Sequence, residues 1–158
     1  MTVVGITGHQ SIPRSALAFV EESISAVLDG LSEDLTGVTA LAEGADQLFA
    51  EILLEKGGHL HAVLPCATYE ASFRQGKPRE HFLRLLAQAD SVETLDSACC
   101  SEAAFLAAGQ QVVDLSEVLI AVWDGRPARG LGGTADIVAY AEEREVQLLV
   151  VWPPDAIR

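Results

Sequence analysis

Basic side chains are scarce in this sequence: ten Lys and Arg stand against 23 Asp and Glu, a formal net charge of −13. Nucleic-acid binding rests on clustered Lys and Arg that release phosphate counterions, and the few here are spread thinly. The composition therefore predicts no nucleic-acid partner and no anionic membrane surface. Cysteine is scarcer still. Cys66, Cys99 and Cys100 are an odd count with two adjacent, and no Cys-x-x-Cys or Cys/His metal spacing accompanies them. They predict small buried hydrophobes rather than a disulfide framework, and no metal site; no cofactor is expected either. Long apolar runs are missing, since none approaches the roughly 18 residues that span a bilayer. From Met1 to Ile6 the chain passes straight into a strand pattern, without a basic stretch leading into an apolar one. A cytoplasmic location is the expectation.

What the sequence does have is apolar residues, 49% of 158, enough for one ordinary core and one domain over 1–158. Their spacing alternates between two periods. Val3–Thr7 is a short β-branched run, and Leu17, Val20, Ile24, Val27, Leu28 and Leu31 then recur at helical spacing, marking a helix that Gly30 ends. Strands follow at 38–41 and 59–64, with a helix marked by Leu48, Phe49, Ile52 and Leu53 between them. Cys66 to Arg79 has no firm period and reads as a long loop. A short helix at 82–86, a weak strand at 91–95, a helix at 103–113, an unbroken apolar strand at 118–122, a helix at 137–141 and a last strand at 146–151 complete the chain. Strands that read as continuous apolar runs separated by helices predict an α/β, Rossmann-like three-layer domain with a mostly parallel sheet of about six strands. Such sheets bind ligands beyond the carboxyl ends of their strands.

Glycine-rich loops sit at those ends. Arg129-Gly130-Leu131-Gly132-Gly133-Thr134-Ala135-Asp136 follows one strand and opens a helix. Glycine lets backbone approach a ligand closely, Thr134 is a candidate helix cap, and unpaired N–H groups at a helix start bind anions. Arg126 and Arg129 add positive charge. Asp136 either faces ribose hydroxyls or stabilises the helix from its first turn. The loop after the first strand carries Gly8, His9 and Gln10, and the loop after the second carries Glu43, Gly44, Ala45 and Asp46. Backbone amides at these successive helix starts are expected to converge on one electropositive pocket. The lysine of a phosphate-binding Walker loop is missing.

Further candidates are weaker. His9 is placed to hydrogen-bond a phosphate, while His59, His61 and His81 read as bystanders. Asp124 and Gly125 follow the fifth strand, where Asp124 either contacts ribose or forms a turn. Tyr69 and Phe73, four apart with Arg74 adjacent, either stack on a base, plug the crevice or pack in the core.

These segments resemble a known group. T-G-H-Q at 7–10, L-A-E-G-A-D-Q at 41–47, and V-V-D-L-S-E-V-L-I-A-V-W-D-G followed by G-G-T-A-D-I-V-A-Y-A up to 141 are similar to bacterial Rossmann-like proteins of the SLOG superfamily. That superfamily joins the DNA-processing protein A (Smf) domain with the Lonely Guy proteins. The resemblance implies a nucleotide or nucleotide-derived ligand at the strand ends, a homodimer, and site positions at Gly8, Gly44, Asp46, Gly132, Gly133 and Thr134. It also implies a test of chemistry. Lonely Guy hydrolases carry P-G-G-x-G-T-x-x-E, whose glutamate serves catalysis. Counted from Thr134, that place is Ile137 here, and no proline precedes the glycines. Asp136 would point about 100° away around the helix.

The leading expectation is therefore a sensor or binding module for a small nucleotide-type ligand. The alternative is an N-glycosidic hydrolase of nucleoside monophosphates, which would need a carboxylate near the ribose; Glu43, Asp46, Asp124 and Asp136 are the available ones. A scaffold with a vestigial crevice is the third.

Overall fold

The computed structural model describes residues 1–127 and 133–154. Along them run β1 (Thr2–Gly8), α1 (Arg14–Gly30), β2 (Leu35–Thr39), α2 (Ala45–Glu55), β3 (His59–Leu64), a 3-10 turn (Tyr69–Ser72), α3 (Lys77–Ala87), β4 (Ser91–Thr94), α4 (Glu102–Leu115), β5 (Val118–Val122), α5 (Thr134–Glu143) and β6 (Gln147–Val151). The six strands lie in the order β4-β3-β2-β1-β5-β6, and every neighbouring pair is parallel. The chain starts in the middle, steps outward to β4, then crosses back through α4 to place β5 on the other side of β1. The direction of winding thus reverses between β1 and β5, where open α/β sheets form a crevice. The expected fold class is the one observed.

Both faces of the central strands are covered, which is why β5 reads as an unbroken apolar run, while the edge strand β4 stays largely exposed. On one face α1 contributes Val20, Ile24 and Leu28, α2 contributes Phe49 and Leu53, and α3 contributes Phe82 and Leu85. On the other, α4 and α5 pack Ala108, Val112, Val113, Ile137 and Ala141. β5 serves both: Val118, Ile120 and Val122 join the first cluster and Leu119 the second, the period-2 alternation of a strand.

Several elements depart from the periodicity. In α1 the buried row is Ala16, Val20, Ile24 and Leu28, so Leu17 sits one step off the buried face and stays exposed. β2 lies earlier than expected, and Leu41 falls beyond it in the left-handed region at φ 59°. The loop from Cys66 holds the 3-10 turn and ends at Gly76. α3 begins at Lys77 and takes Pro78 into its first turn, where a missing N–H removes no intrahelical bond.

The cysteines are a correction. Cys66 and Cys100 form a disulfide with Cα atoms 5.4 Å apart, and Cys99 is an exposed free thiol. The pair joins the loop after β3 to the approach to α4, segments that only the tertiary fold brings together. Of the expected three buried hydrophobes, Cys66 alone is fully buried.

Among the described residues no helix is long and apolar enough to cross a membrane.

Candidate functional site

Beyond the carboxyl ends of β1 and β2 lies a cavity of about 440 Å³. The loop after β1 supplies Gly8 and Gln10, the β2–α2 loop Glu43 and Asp46, and the segment after β3 Tyr69, Ser72 and Phe73. α4 closes it with Phe105 and Gly109, and α5 with Ile137.

The β2–α2 loop is braced by its own side chains. Leu41 carries a side chain at a left-handed φ, a conformation that costs roughly 1–2 kcal/mol, so something must hold it. Its N–H donates to Thr39 Oγ1 at 3.0 Å, and its carbonyl accepts from Gln47 Nε2 at 3.1 Å. The next N–H, of Ala42, donates to Asp46 Oδ2 at 3.1 Å. Asp46 is buried, and burial pushes its carboxyl up to about 7, against the lowering effect of the Ala42 N–H and the Thr39 hydroxyl. Asp46 lines the cavity and braces the loop at once.

Gly44 stitches this loop to the one after β1. Its φ is +88°, and a Cβ there would run into the carbonyls of His9 and Gln10. With glycine in place the backbones touch, and the Ala45 N–H donates to the His9 carbonyl at 3.2 Å. His9 also reaches the β5 side. Its N–H donates to the Val122 carbonyl at 3.1 Å, and its Nε2 accepts from the Asp124 N–H at 3.2 Å and lies 3.3 Å from Asp124 Oδ1. Trp152 meets the imidazole edge-on, ring centres 5.3 Å apart. Asp124 Oδ1 accepts the Arg126 N–H at 3.0 Å, so Asp124 shapes a turn in which Gly125 takes φ +83°.

At the start of α5 the cap is Gly133, and Thr134 is the first helical residue, without a side-chain capping bond. The expected Thr134 cap is corrected: the Gly133 carbonyl accepts the N–H groups of Asp136 and Ile137 instead. Arg129 and Gly132 lie outside the described residues. The structure thus sorts the candidates into three groups. Gly8, Gln10 and Asp46 line the cavity, Gly44, Ala45, His9 and Asp124 tie its loops together, and Gly125, Gly133, Thr134 and Asp136 stand apart from its described wall.

Its electrostatics also differ from expectation. The charged side chains among the described lining residues are Glu43 and Asp46, with no Lys or Arg, so this part of the crevice is acidic rather than electropositive. His59, His61 and His81 pair with Asp90, Glu93 and Glu51, away from the cavity as expected.

No protein-family model matches the chain, and no curated protein matches it. Solved structures do. DNA processing protein A from Streptococcus pneumoniae superposes with a TM-score of 0.69 at 18% identity, over 94% of this chain and 50% of that one. The same protein from Helicobacter pylori, described for its single-stranded DNA binding mode, gives 0.68 at 18%, over 94% and 64%. The molybdenum cofactor carrier protein from Chlamydomonas reinhardtii gives 0.59 at 16%, over 94% and 75%. This is the fold that the motif resemblance to the SLOG superfamily implies. The chain spans about half to two thirds of the length of the DNA processing proteins it matches.

The cavity residues that sequence reasoning missed include Ser72, Phe105, Gly109 and Ile137. Gly109 left a signal, a glycine inside an otherwise strong helix. A Cβ there would meet Ile137 Cγ1 at 2.9 Å, so glycine lets α4 and α5 close together over the cavity. Tyr69 and Phe73 resolve their alternatives by doing two things. Both are buried among aromatic rings, Tyr69 with centres 5.1 Å from Phe73, 5.4 Å from Phe82 and 6.0 Å from Phe105, and both face the cavity.

Proposed function

We propose that this chain, acting as one unit over 1–158, binds a small nucleotide or nucleotide-derived ligand in the crevice at the carboxyl ends of its strands, without turning it over. The observation that carries this is the cavity of about 440 Å³ beyond the carboxyl ends of β1 and β2, beside the point where the sheet reverses its winding and of the size of a small-molecule site. Gly8, Gln10 and Asp46 at its wall support the reading, and Gly133 and Thr134 at the start of α5 offer helix-start amides for a phosphate.

The chemistry of the wall favours binding over hydrolysis. Ile137 occupies the place where Lonely Guy hydrolases carry glutamate, and it lines the cavity at 2% exposure. An apolar group thus stands where the acid would act. One observation favours the second reading, N-glycosidic hydrolysis: burial holds the Asp46 carboxyl near neutrality, as a general acid requires. That carboxyl is already engaged by the Ala42 N–H and Thr39, so bracing is its first role.

The ligand is a free small molecule rather than nucleic acid. DNA processing protein A binds single strands, but this chain carries a net charge of −13, which opposes phosphate-backbone contact. A cytoplasmic setting and a homo-oligomer belong to the same proposal.

Thermal-shift titration with AMP, GMP, ADP-ribose, NAD and cyclic nucleotides is the test: a ligand raises the midpoint in proportion to the logarithm of its concentration. Gly133→Asp should abolish that shift by adding bulk and charge. Chromatography of the incubated mixtures should show no released base, and labelled single-stranded DNA should show no anisotropy change at low salt. A panel without any stabilising nucleotide would overturn the reading.

A further inference from the structure

The polar groups of the cavity differ in whether they are already used. Asp46 is spent on its own loop. Glu43 lines the cavity, and its carboxylate makes no hydrogen bond or ion pair among the described residues. Tyr69 is only 4% exposed, and its ring is fixed by Phe73, Phe82 and Phe105. Its hydroxyl nevertheless has no hydrogen-bond partner among the described residues. Buried phenols ordinarily find a partner. Burial and the nearby Asp46 and Glu43 charges raise its ionisation well above the ordinary phenol range, so it stays a donor.

A site offering one free carboxylate, one free hydroxyl donor and aromatic walls, with no cation among its described lining, repels a phosphate and suits a ring. Carboxylate oxygens lie about as far apart as two adjacent N–H groups on a planar heterocycle, and accept from both. An adenine edge offers one amino group and ring acceptors. A guanine-type edge offers two adjacent N–H groups and, beside them, a carbonyl that accepts from a hydroxyl.

Resting on the proposed nucleotide-type ligand, we propose that this cavity reads a 2-amino-4-oxopyrimidine edge, as in guanine or a pterin, with Glu43 accepting from the two N–H groups and Tyr69 donating to the carbonyl. Phe73 and Phe105 flank the ring, and any phosphate lies outside, toward α5. Glu43 and Tyr69 are then the specificity residues of the site.

Isothermal titration with guanosine, inosine, adenosine and neopterin tests this without a phosphate. Guanosine is expected to bind at least tenfold more tightly than inosine, which lacks the 2-amino group, and than adenosine. Neopterin binding in place of guanosine would keep the edge and identify the pterin as its source. Glu43→Gln should erase the guanosine preference, and Tyr69→Phe, which keeps the ring packing, should weaken guanosine about tenfold while leaving the thermal midpoint close to that of the parent. Adenosine binding as tightly as guanosine, or an undiminished preference in Glu43→Gln, would overturn the assignment while leaving nucleotide binding intact. Failure of every nucleotide and nucleoside to bind would overturn both.

Discussion

Across the reversal point of the sheet, His9 Nε2 accepts from the Asp124 backbone N–H at 3.2 Å, with the Oδ1 of the same residue 3.3 Å away. The loop after β1 is thereby fixed to the loop after β5, and the His9 carbonyl fixes the loop after β2.

Breaking that link should loosen the crevice more than it harms the core. His9→Ala removes the acceptor of the half-buried Asp124 amide, a loss of about 1 kcal/mol. Urea denaturation should report that loss, with nucleotide affinity falling at least tenfold. An unchanged affinity in a folded His9→Ala protein would remove His9 from the site.

Asp46 predicts a pH dependence of stability. Its carboxyl keeps its proton up to about 7 in the folded protein against 3.8 when exposed. Between those values the folded state binds the extra proton, so raising the pH through the window destabilises it, with a slope of up to about 1.4 kcal/mol per pH unit from this group. Asp46→Asn keeps an acceptor for the Ala42 N–H and cannot ionise. The stability of the parent relative to Asp46→Asn should therefore fall from pH 4.5 to pH 7.5; parallel curves would refute the buried, protonated carboxyl.

Gly44 allows a sharper prediction. Alanine there meets both a positive φ and the His9 and Gln10 carbonyls. Gly44→Ala should cost about 1–3 kcal/mol and shift amide resonances on both loops. Gly57→Ala, at φ +79° but in open space, should cost less.

The disulfide predicts a selective response to reductant. Opening the Cys66–Cys100 link, which spans 34 residues, should lower stability by about 2–4 kcal/mol. Native alkylation followed by mass spectrometry should label Cys99 alone before reduction. Labelling of all three thiols without reductant would refute the bond.

Much of the fold was legible because a parallel sheet covered on both faces demands apolar strands, and Val118–Val122 shows one plainly. The glycine loops were legible for a similar reason, since Gly8 and Gly44 mark close backbone approach. What the residues hid was use. Asp46 and His9 look like ligand contacts in sequence, yet the fold commits them to bracing. The Cys66–Cys100 pairing is invisible to spacing, because it depends on two distant loops becoming neighbours. That Ile137 and Gly109 meet at the cavity wall emerges only once α4 and α5 lie side by side.

The position of β1 has a consequence for how the chain matures. Among the six strands, β1 comes earliest in the chain yet lies inside the sheet, flanked by β2 and β5, and its second neighbour begins at Val118. During translation one side of Thr2–Gly8 therefore stays open until Val118–Val122 has emerged. Such long-range pairing folds slowly and leaves a nascent strand exposed to wrong partners. Fragments ending before Val118 should accumulate as aggregates or chaperone clients rather than as a smaller native protein.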